Sequence, residues 1–184
     1  RVAHGLLRWH CNTYHPGTHP AMPAYCDLHS HILPGIDDGL QSLSETLECL
    51  QRMEALGFST IVVTPHQKQF SINPQLRSID TVFTAVEEEN PTSIHLIRGT
   101  ENFTDPQFFQ RLNNQELPCF GTSQVLLMEM SPITPVAHVE NLFFQLAING
   151  YKPVLAHVER YDWLEEDTLQ RIHQHAWFQV NVSS

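Results

Sequence analysis

From Tyr25 onward the sequence alternates short apolar runs with amphipathic stretches, and that alternation restricts it to a fold built from parallel βα units. The runs are YCDLH, STIVVTP, IHLIRGT, QVLLMEM, KPVLAHV and WFQVNV. They are almost continuously apolar, as strands of a parallel sheet buried on both faces must be. Five helices are expected between them. Ser42 followed by Glu45 makes a capping box ahead of LSETLECLQRMEALG, which Gly57 ends. Asn73-Pro74 and Asp105-Pro106 open the second and third helices, each with proline at the first helical position. The fourth helix covers 135–149 and is closed by Gly150, and the fifth spans about Trp163–His175. The repeat of roughly 25–35 residues suits one βα unit. The expectation is a single α/β domain of βα-barrel type over residues 25–184, with about six strands and five helices.

The ionisable residues fall at the ends of these runs. His29 and His31 lie at the end of the first strand, and His66 follows the second. Glu101 ends the third, Glu129 sits late in the fourth, His157 ends the fifth and Asn181 the sixth. The carboxyl ends of parallel strands share one face, and that face carries active sites. Residues more than a hundred positions apart should therefore meet in one cleft. Each alone could be a hydrogen-bonded structural side chain. Glu129 in the apolar run VLLMEM is harder to explain that way, because burying a charge is costly without a cation. Imidazole and carboxylate without thiolate suit Mn²⁺, Fe or Zn²⁺ better than Ca²⁺ or Mg²⁺. So many ligands exceed the needs of one ion, and two or three closely spaced metals are the device for phosphoester hydrolysis. Arg160, three residues beyond His157, could clamp phosphate oxygens; the alternative is a surface ion pair with Glu159 or Asp162.

Composition excludes several other classes. Ten Lys+Arg against twenty Asp+Glu give a net charge of −10, which argues against nucleic-acid binding. No apolar run approaches the roughly 18–20 residues of a membrane span, and the N-terminus lacks the layout of a signal peptide. Four cysteines without a CxxC pair suit a reduced, cytoplasmic setting. A cysteine-dependent phosphatase needs an arginine six positions after its nucleophile; those positions hold Gly17, Ile32, Ala55 and Val125. Residues 1–24 read as an irregular, His- and Pro-rich extension, with Met22 a possible natural start. His10, Cys11, His15 and His19 could in principle bind a metal there, but their irregular spacing favours a disordered leader.

The segment DLHSHILPGIDDG (27–39) resembles the opening motif of the PHP (polymerase and histidinol phosphatase) superfamily. With TPH (64–66), GTE (99–101), MEM (128–130), AHVERY (156–161) and QVN (179–181), it is similar to one branch, the bacterial manganese-dependent protein-tyrosine phosphatases of the CpsB/CapC type. These act with tyrosine kinases of capsule and exopolysaccharide synthesis. The resemblance implies a distorted (β/α)7 TIM-like barrel with a trinuclear Mn²⁺ site. It implies that His29 and His31 hold a first metal, with Glu101 bridging to a second that Glu129 and His157 complete. His66 and the aspartate before Gly39, Asp38 in preference to Asp37, would serve a third, and Arg160 would contact phosphate. The family's last motif, an Asp-x-His after a further strand, does not occur before Ser184, so the resemblance implies a fragment lacking two ligands and the closing part of the barrel. The expected activity is hydrolysis of phosphotyrosine on a protein, a bacterial tyrosine kinase being the implied partner. A small-molecule phosphatase of histidinol-phosphate type and a non-catalytic module that binds a phosphotyrosine tail are the alternatives.

Overall fold

The computed structural model describes residues 24–68 and 79–181. In chain order the elements are β1 (Tyr25–Ser30), α1 (Leu43–Ala55), β2 (Phe58–Val63), β3 (His66–Gln67), α2 (Ile79–Glu89), β4 (His95–Arg98) and β5 (Glu101–Phe103). There follow α3 (Pro106–Asn114), β6 (Val125–Glu129), α4 (Val139–Ile148), β7 (Lys152–Leu155), α5 (Glu166–Ile172) and β8 (Trp177–Phe178). The helices begin where local chemistry allows. Ser42 and Glu45 form the reciprocal capping box of α1, and Asp105 accepts from Phe108 N at 2.9 Å ahead of Pro106 in α3. The Asn73-Pro74 start expected for α2 lies outside the described residues.

Three expectations need correction. The second and third of the six expected strands are each broken in two, giving eight strand segments among the described residues. Pro65 has no N–H to offer the ladder and interrupts β2/β3, while Gly99-Thr100 interrupts β4/β5. α4 starts at Val139, not 135, because His138 adopts a left-handed conformation (φ 52°) that no helix can include. α5 is confined to Glu166–Ile172, shorter than its sequence pattern suggested.

All strand pairs are parallel, in the orders β1-β2-β4 and β3-β5-β6-β7-β8. Gly99 N donates to Val63 O at 2.9 Å and Glu101 N to Pro65 O at 3.0 Å, so pairing carries across both breaks. Strand follows strand in sequence order, as βα units demand. Successive side chains alternate between two cores. Ile61 and Val63 pack under Leu50 of α1 and Val86 of α2, and Leu126 and Met128 pack under Phe108 of α3 and Phe143 of α4. Val62 and Leu127 turn the other way, into a cluster with Phe120, Ala156, Leu28, Ile97 and Val154 that contains no helical residue. The array is curled: His29 in β1 lies 3.2 Å from the side chain of Gln179, just past β8.

The loop after β1 folds back on itself to present His31. Leu40 N donates to His31 O at 3.1 Å, and the buried Thr46 hydroxyl donates to Ile32 O at 2.7 Å, tying the loop to α1. Gly39 packs against the same backbone. A Cβ there would lie 2.0 Å from His31 O and 2.6 Å from His31 Cβ. Gly39→Ala should therefore force the loop off His31, with a stability loss of about 1–3 kcal/mol typical of overpacking. Thermal unfolding will show it as a fall in melting temperature of several degrees, whereas an unchanged midpoint would mean that the loop relaxes at no cost.

Candidate metal centre

Sequential parallel strands deliver their carboxyl ends to one edge, and the ionisable side chains arrive there from six places in the chain. β1 carries His29 and hands His31 to the loop; His66 opens β3 and Glu101 opens β5. Glu129 ends β6, on the same face as Leu127 two residues earlier, and His157 lies just past β7 with φ 36°. Strand register sets His66 beside Glu101 and Phe103 beside Glu129.

Glu101 is the hub, with no exposed surface. Its Oε1 lies 2.7 Å from His157 Nε2. Its Oε2 lies 2.9 Å from His66 Nδ1, 3.3 Å from His29 Nε2 and 3.4 Å from His31 Nε2. Burial is the largest single influence on this carboxyl and would raise its pKa. The contacts from His157, His29, His31 and His66 together outweigh burial and hold it far below the usual carboxylate range. The imidazoles respond in the opposite sense. Burial disfavours charge on His31, but Asp37 and Glu101 push its pKa up to about 9. Burial likewise opposes charge on His66, yet Glu101 and Glu129 push it up to about 10. Glu129 reaches His66 Nδ1 at 3.1 Å with one oxygen and His157 Nε2 at 3.6 Å with the other.

Three of the four histidines are held by the ring nitrogen that points away from the hub. His29 Nδ1 meets Gln179 Oε1 at 3.2 Å, His31 Nδ1 meets Asp37 Oδ2 at 2.8 Å, and His157 Nδ1 meets the Tyr161 hydroxyl at 3.3 Å. An amide oxygen and a carboxylate only accept, so Nδ1 of His29 and His31 carries the proton and donates. In the neutral ring that leaves the inward Nε2 with its lone pair, the form a metal ligand needs. Asp37 also accepts from the backbone N–H groups of His66 (2.9 Å) and Gly39 (3.0 Å). Gln179 Oε1 further accepts from His157 N at 2.8 Å, bracing the end of β7 against β1.

These donors fit divalent cations. His29, His31 and Glu101 form one group whose ligand atoms lie within 4.8 Å of one another; His31, Asp38 and His66 form a second, and His66, Glu101 and Glu129 a third. Glu101 Oε2, Glu129 Oε1 and His66 Nδ1 are buried without a well-aligned hydrogen bond despite their short contacts. Convergent buried lone pairs of this kind are what a cation satisfies and hydrogen bonds do not.

His29, His31, His66, Glu101, Glu129 and His157 are all brought together. Asp38 stands on the rim, largely exposed, 3.4 Å from His66 Nε2. The two neighbouring aspartates thus do different jobs: Asp37 is buried and orients His31, while Asp38 faces the possible ion position beside His66. Arg160 is exposed at the end of the short 3₁₀ turn Val158–Arg160, and its guanidinium forms no salt bridge among the described residues. Sequence reasoning missed Gln179, Tyr161 and Lys68, whose Nζ lies 2.5 Å from Glu129 Oε1. Only proximity to the quoted motifs could have pointed to them, because a brace on a ring nitrogen leaves no mark in sequence.

A family model described as capsular polysaccharide synthesis, CpsB/CapC, matches residues 25–184. The tyrosine-protein phosphatase CpsB of Streptococcus pneumoniae is 30% identical over 77% of this chain and 59% of its own length. The putative tyrosine-protein phosphatase CapC of Staphylococcus aureus is 28% identical over 73% of this chain and 54% of its own. The chain thus spans little more than half the length of these relatives. Among solved structures, the work on YwqE from Bacillus subtilis and CpsB from Streptococcus pneumoniae, described as unique metal-dependent tyrosine phosphatases, superposes with a TM-score of 0.68 at 26% identity. That match covers 85% of this chain and 66% of the other. The family model covers the whole of residues 25–184, and the chain belongs to the CpsB/CapC family of capsular polysaccharide synthesis.

Proposed function

We propose that this chain performs the metal-dependent hydrolysis of phosphotyrosine monoesters on a protein, with a bacterial tyrosine kinase of capsule or exopolysaccharide synthesis as substrate, in the cytoplasm. The observation that carries this reading is the convergence of four imidazoles on the buried Glu101 carboxylate beside Glu129. Residues 25–184 would constitute the metallophosphatase domain, part of a (β/α)7 barrel, preceded by the extension 1–24.

Two or three divalent ions, Mn²⁺ foremost with Fe or Zn²⁺ as alternatives, would bind here. His29 and His31 would hold one, Glu101 would bridge to another completed by Glu129 and His157, and His66 with Asp38 would hold a third. When bound, closely spaced ions activate water at neutral pH and neutralise charge on the phosphoryl oxygens. The chain's own part is orientation. Gln179 and Asp37 keep the Nδ1 protons of His29 and His31 on the outer side and their Nε2 lone pairs inward. Tyr161 offers its oxygen to His157 Nδ1 while accepting from Met130 N at 3.1 Å. Arg160 would contact the phosphoryl oxygens. Two of the thiols are shifted away from the reactive thiolate: burial pushes Cys119 up to about 11 and raises Cys49 also.

Three outcomes follow. Chelation should abolish phosphotyrosine turnover and Mn²⁺ should restore it, while replacing all four cysteines by serine leaves the rate near wild type; activity that resists chelation and dies with a Cys→Ser change would overturn the reading. The second concerns pH. In the metal-free protein the folded pKa values of His31 and His66 are raised to about 9 and 10 above the ordinary 6.5. Their charged contacts stabilise the metal-free fold fully below about pH 6.5, and that contribution is lost as pH rises through 9–10. Metal uptake must expel the same protons, so calorimetry should find affinity for Mn²⁺ increasing with pH across neutrality, with proton release on binding. Affinity that is flat between pH 6 and 9 would be the contrary result. Third, Arg160→Ala should lower turnover roughly a hundredfold with metal content unchanged, the usual effect of removing one donor to transition-state charge, and Arg160→Lys should rescue it only in part. A wild-type rate from the alanine variant would return Arg160 to a surface role.

A further inference from the structure

We propose that Tyr161 is a positioning residue for the paired ligands Glu129 and His157, and that its hydroxyl, braced by Trp163, sets how tightly the ion between them is held. The proposal rests on the metal-dependent hydrolase reading and specifies which ion depends on this contact.

The two ligands belong to neighbouring strands: Glu129 ends β6, and His157 follows the end of β7. The backbone bonds that join these strands run as far as Ala156 N to Met128 O, at 2.9 Å, one residue short of both ligands. Beyond that point, among the described residues, side chains take over. The Tyr161 hydroxyl accepts from Met130 N at 3.1 Å, and Trp163 Nε1 donates to Ser131 O at 3.0 Å. Both bonds tie the segment that follows Glu129 to the loop that follows His157. The rings of Tyr161 and Trp163 lie 6.0 Å apart, and the Tyr161 ring lies 5.9 Å from that of His157. The same hydroxyl lies 3.3 Å from His157 Nδ1. A single oxygen thus meets the residue after one ligand and the ring of the other.

Packing would be the simpler role for Tyr161, which is buried in the larger core cluster with Leu164 and Ile172. Packing requires the ring alone, however, and a phenylalanine would supply it. A hydroxyl carried into the interior costs free energy unless it is bonded, and both partners of this one flank the site. His157 also needs a brace from beyond its own backbone. It sits at φ 36°, a left-handed conformation unusual for a residue with a β-carbon, which persists only where the surroundings impose it. Gln179 Oε1 accepts from its backbone N–H at 2.8 Å, and Tyr161 meets its ring. The rings of His29 and His31 are held instead by Gln179 and Asp37, with no contribution from Tyr161. Loss of the hydroxyl therefore strikes one ion and spares the one that His29 and His31 hold.

The test titrates metal-free wild type, Tyr161→Phe and Trp163→Phe with Mn²⁺ by calorimetry. Electron paramagnetic resonance of the bound Mn²⁺ and thermal unfolding of the metal-free forms are measured alongside. Tyr161→Phe should weaken one class of Mn²⁺ site about 10- to 100-fold, the usual cost of losing an outer partner of a metal-bound histidine, and leave the remainder at wild-type affinity. The resonance of closely spaced, coupled ions should give way to that of isolated Mn²⁺ at metal concentrations that still saturate the wild type. Trp163→Phe, which leaves the hydroxyl in place, should shift the same class in the same direction by less. Wild-type affinity at every site of Tyr161→Phe would overturn the proposal while leaving the hydrolase reading intact. A uniform loss across all sites, with a lower unfolding midpoint, would assign Tyr161 to general packing and would also overturn it. If Tyr161→Phe does not fold, Trp163→Phe decides between the same outcomes. A wild-type protein that takes up no Mn²⁺ would sink the hydrolase reading and this proposal with it.

Discussion

A carboxylate without exposed surface, faced by four imidazoles, is the contact on which the other features of this structure depend. Taking an ion out of water costs several kcal/mol even after the surroundings relax, and compensation must come from groups placed around it on every side. The partners of Glu101 come from the ends of β1, β3 and β7, strands that are not adjacent in a flat sheet. Satisfying one buried charge therefore requires the array to curl. The inner cluster of Val62, Leu127 and Ala156 supplies the apolar floor beneath that curl, with helices packed on the opposite face.

Placement alone would not make the imidazoles useful, since a ring can rotate and either nitrogen can carry the proton. The second ring nitrogen settles both questions. Asp37 is the most economical of the braces, because one carboxylate orients His31, anchors the backbone of His66 and closes the turn at Gly39. The sharp approach of Gly39 to His31 belongs to the same construction: the loop must pass so close to the strand end that no side chain fits between them. Geometry at the centre is thus set by a surrounding layer fixed by backbone constraints.

Much of this was legible in the sequence. Helix starts at Ser42 and Asp105 could be read from capping chemistry, and the positions of His29, Glu129 and His157 at strand ends from the alternation of apolar and amphipathic segments, whereas His66 and Glu101 open the short segments β3 and β5. Those signals are local or periodic, and both kinds survive folding. What stayed hidden depended on the third dimension. Pro65 and Gly99 looked like parts of continuous strands, though a missing N–H and a missing side chain split them. The left-handed turn at His138, which delays α4, has no compositional signature. The neighbouring residues Asp37 and Asp38 could be ranked but not given separate tasks, because their difference lies in burial. Gln179 and Lys68 act on residues far away in the chain and could be recognised only once those residues were beside them.

The amide of Gln179 joins the ring of His29 to the backbone of His157, and its partner in β1 was made 150 residues earlier. A ribosome adding about 5–20 residues per second needs roughly 8–30 s to cover that separation. Throughout that interval the His29 ring exists without the amide that orients it, whereas His31 has Asp37 six residues on. The nascent chain can hold His29 and His31 but cannot yet assemble the site around Glu101, Glu129 and His157.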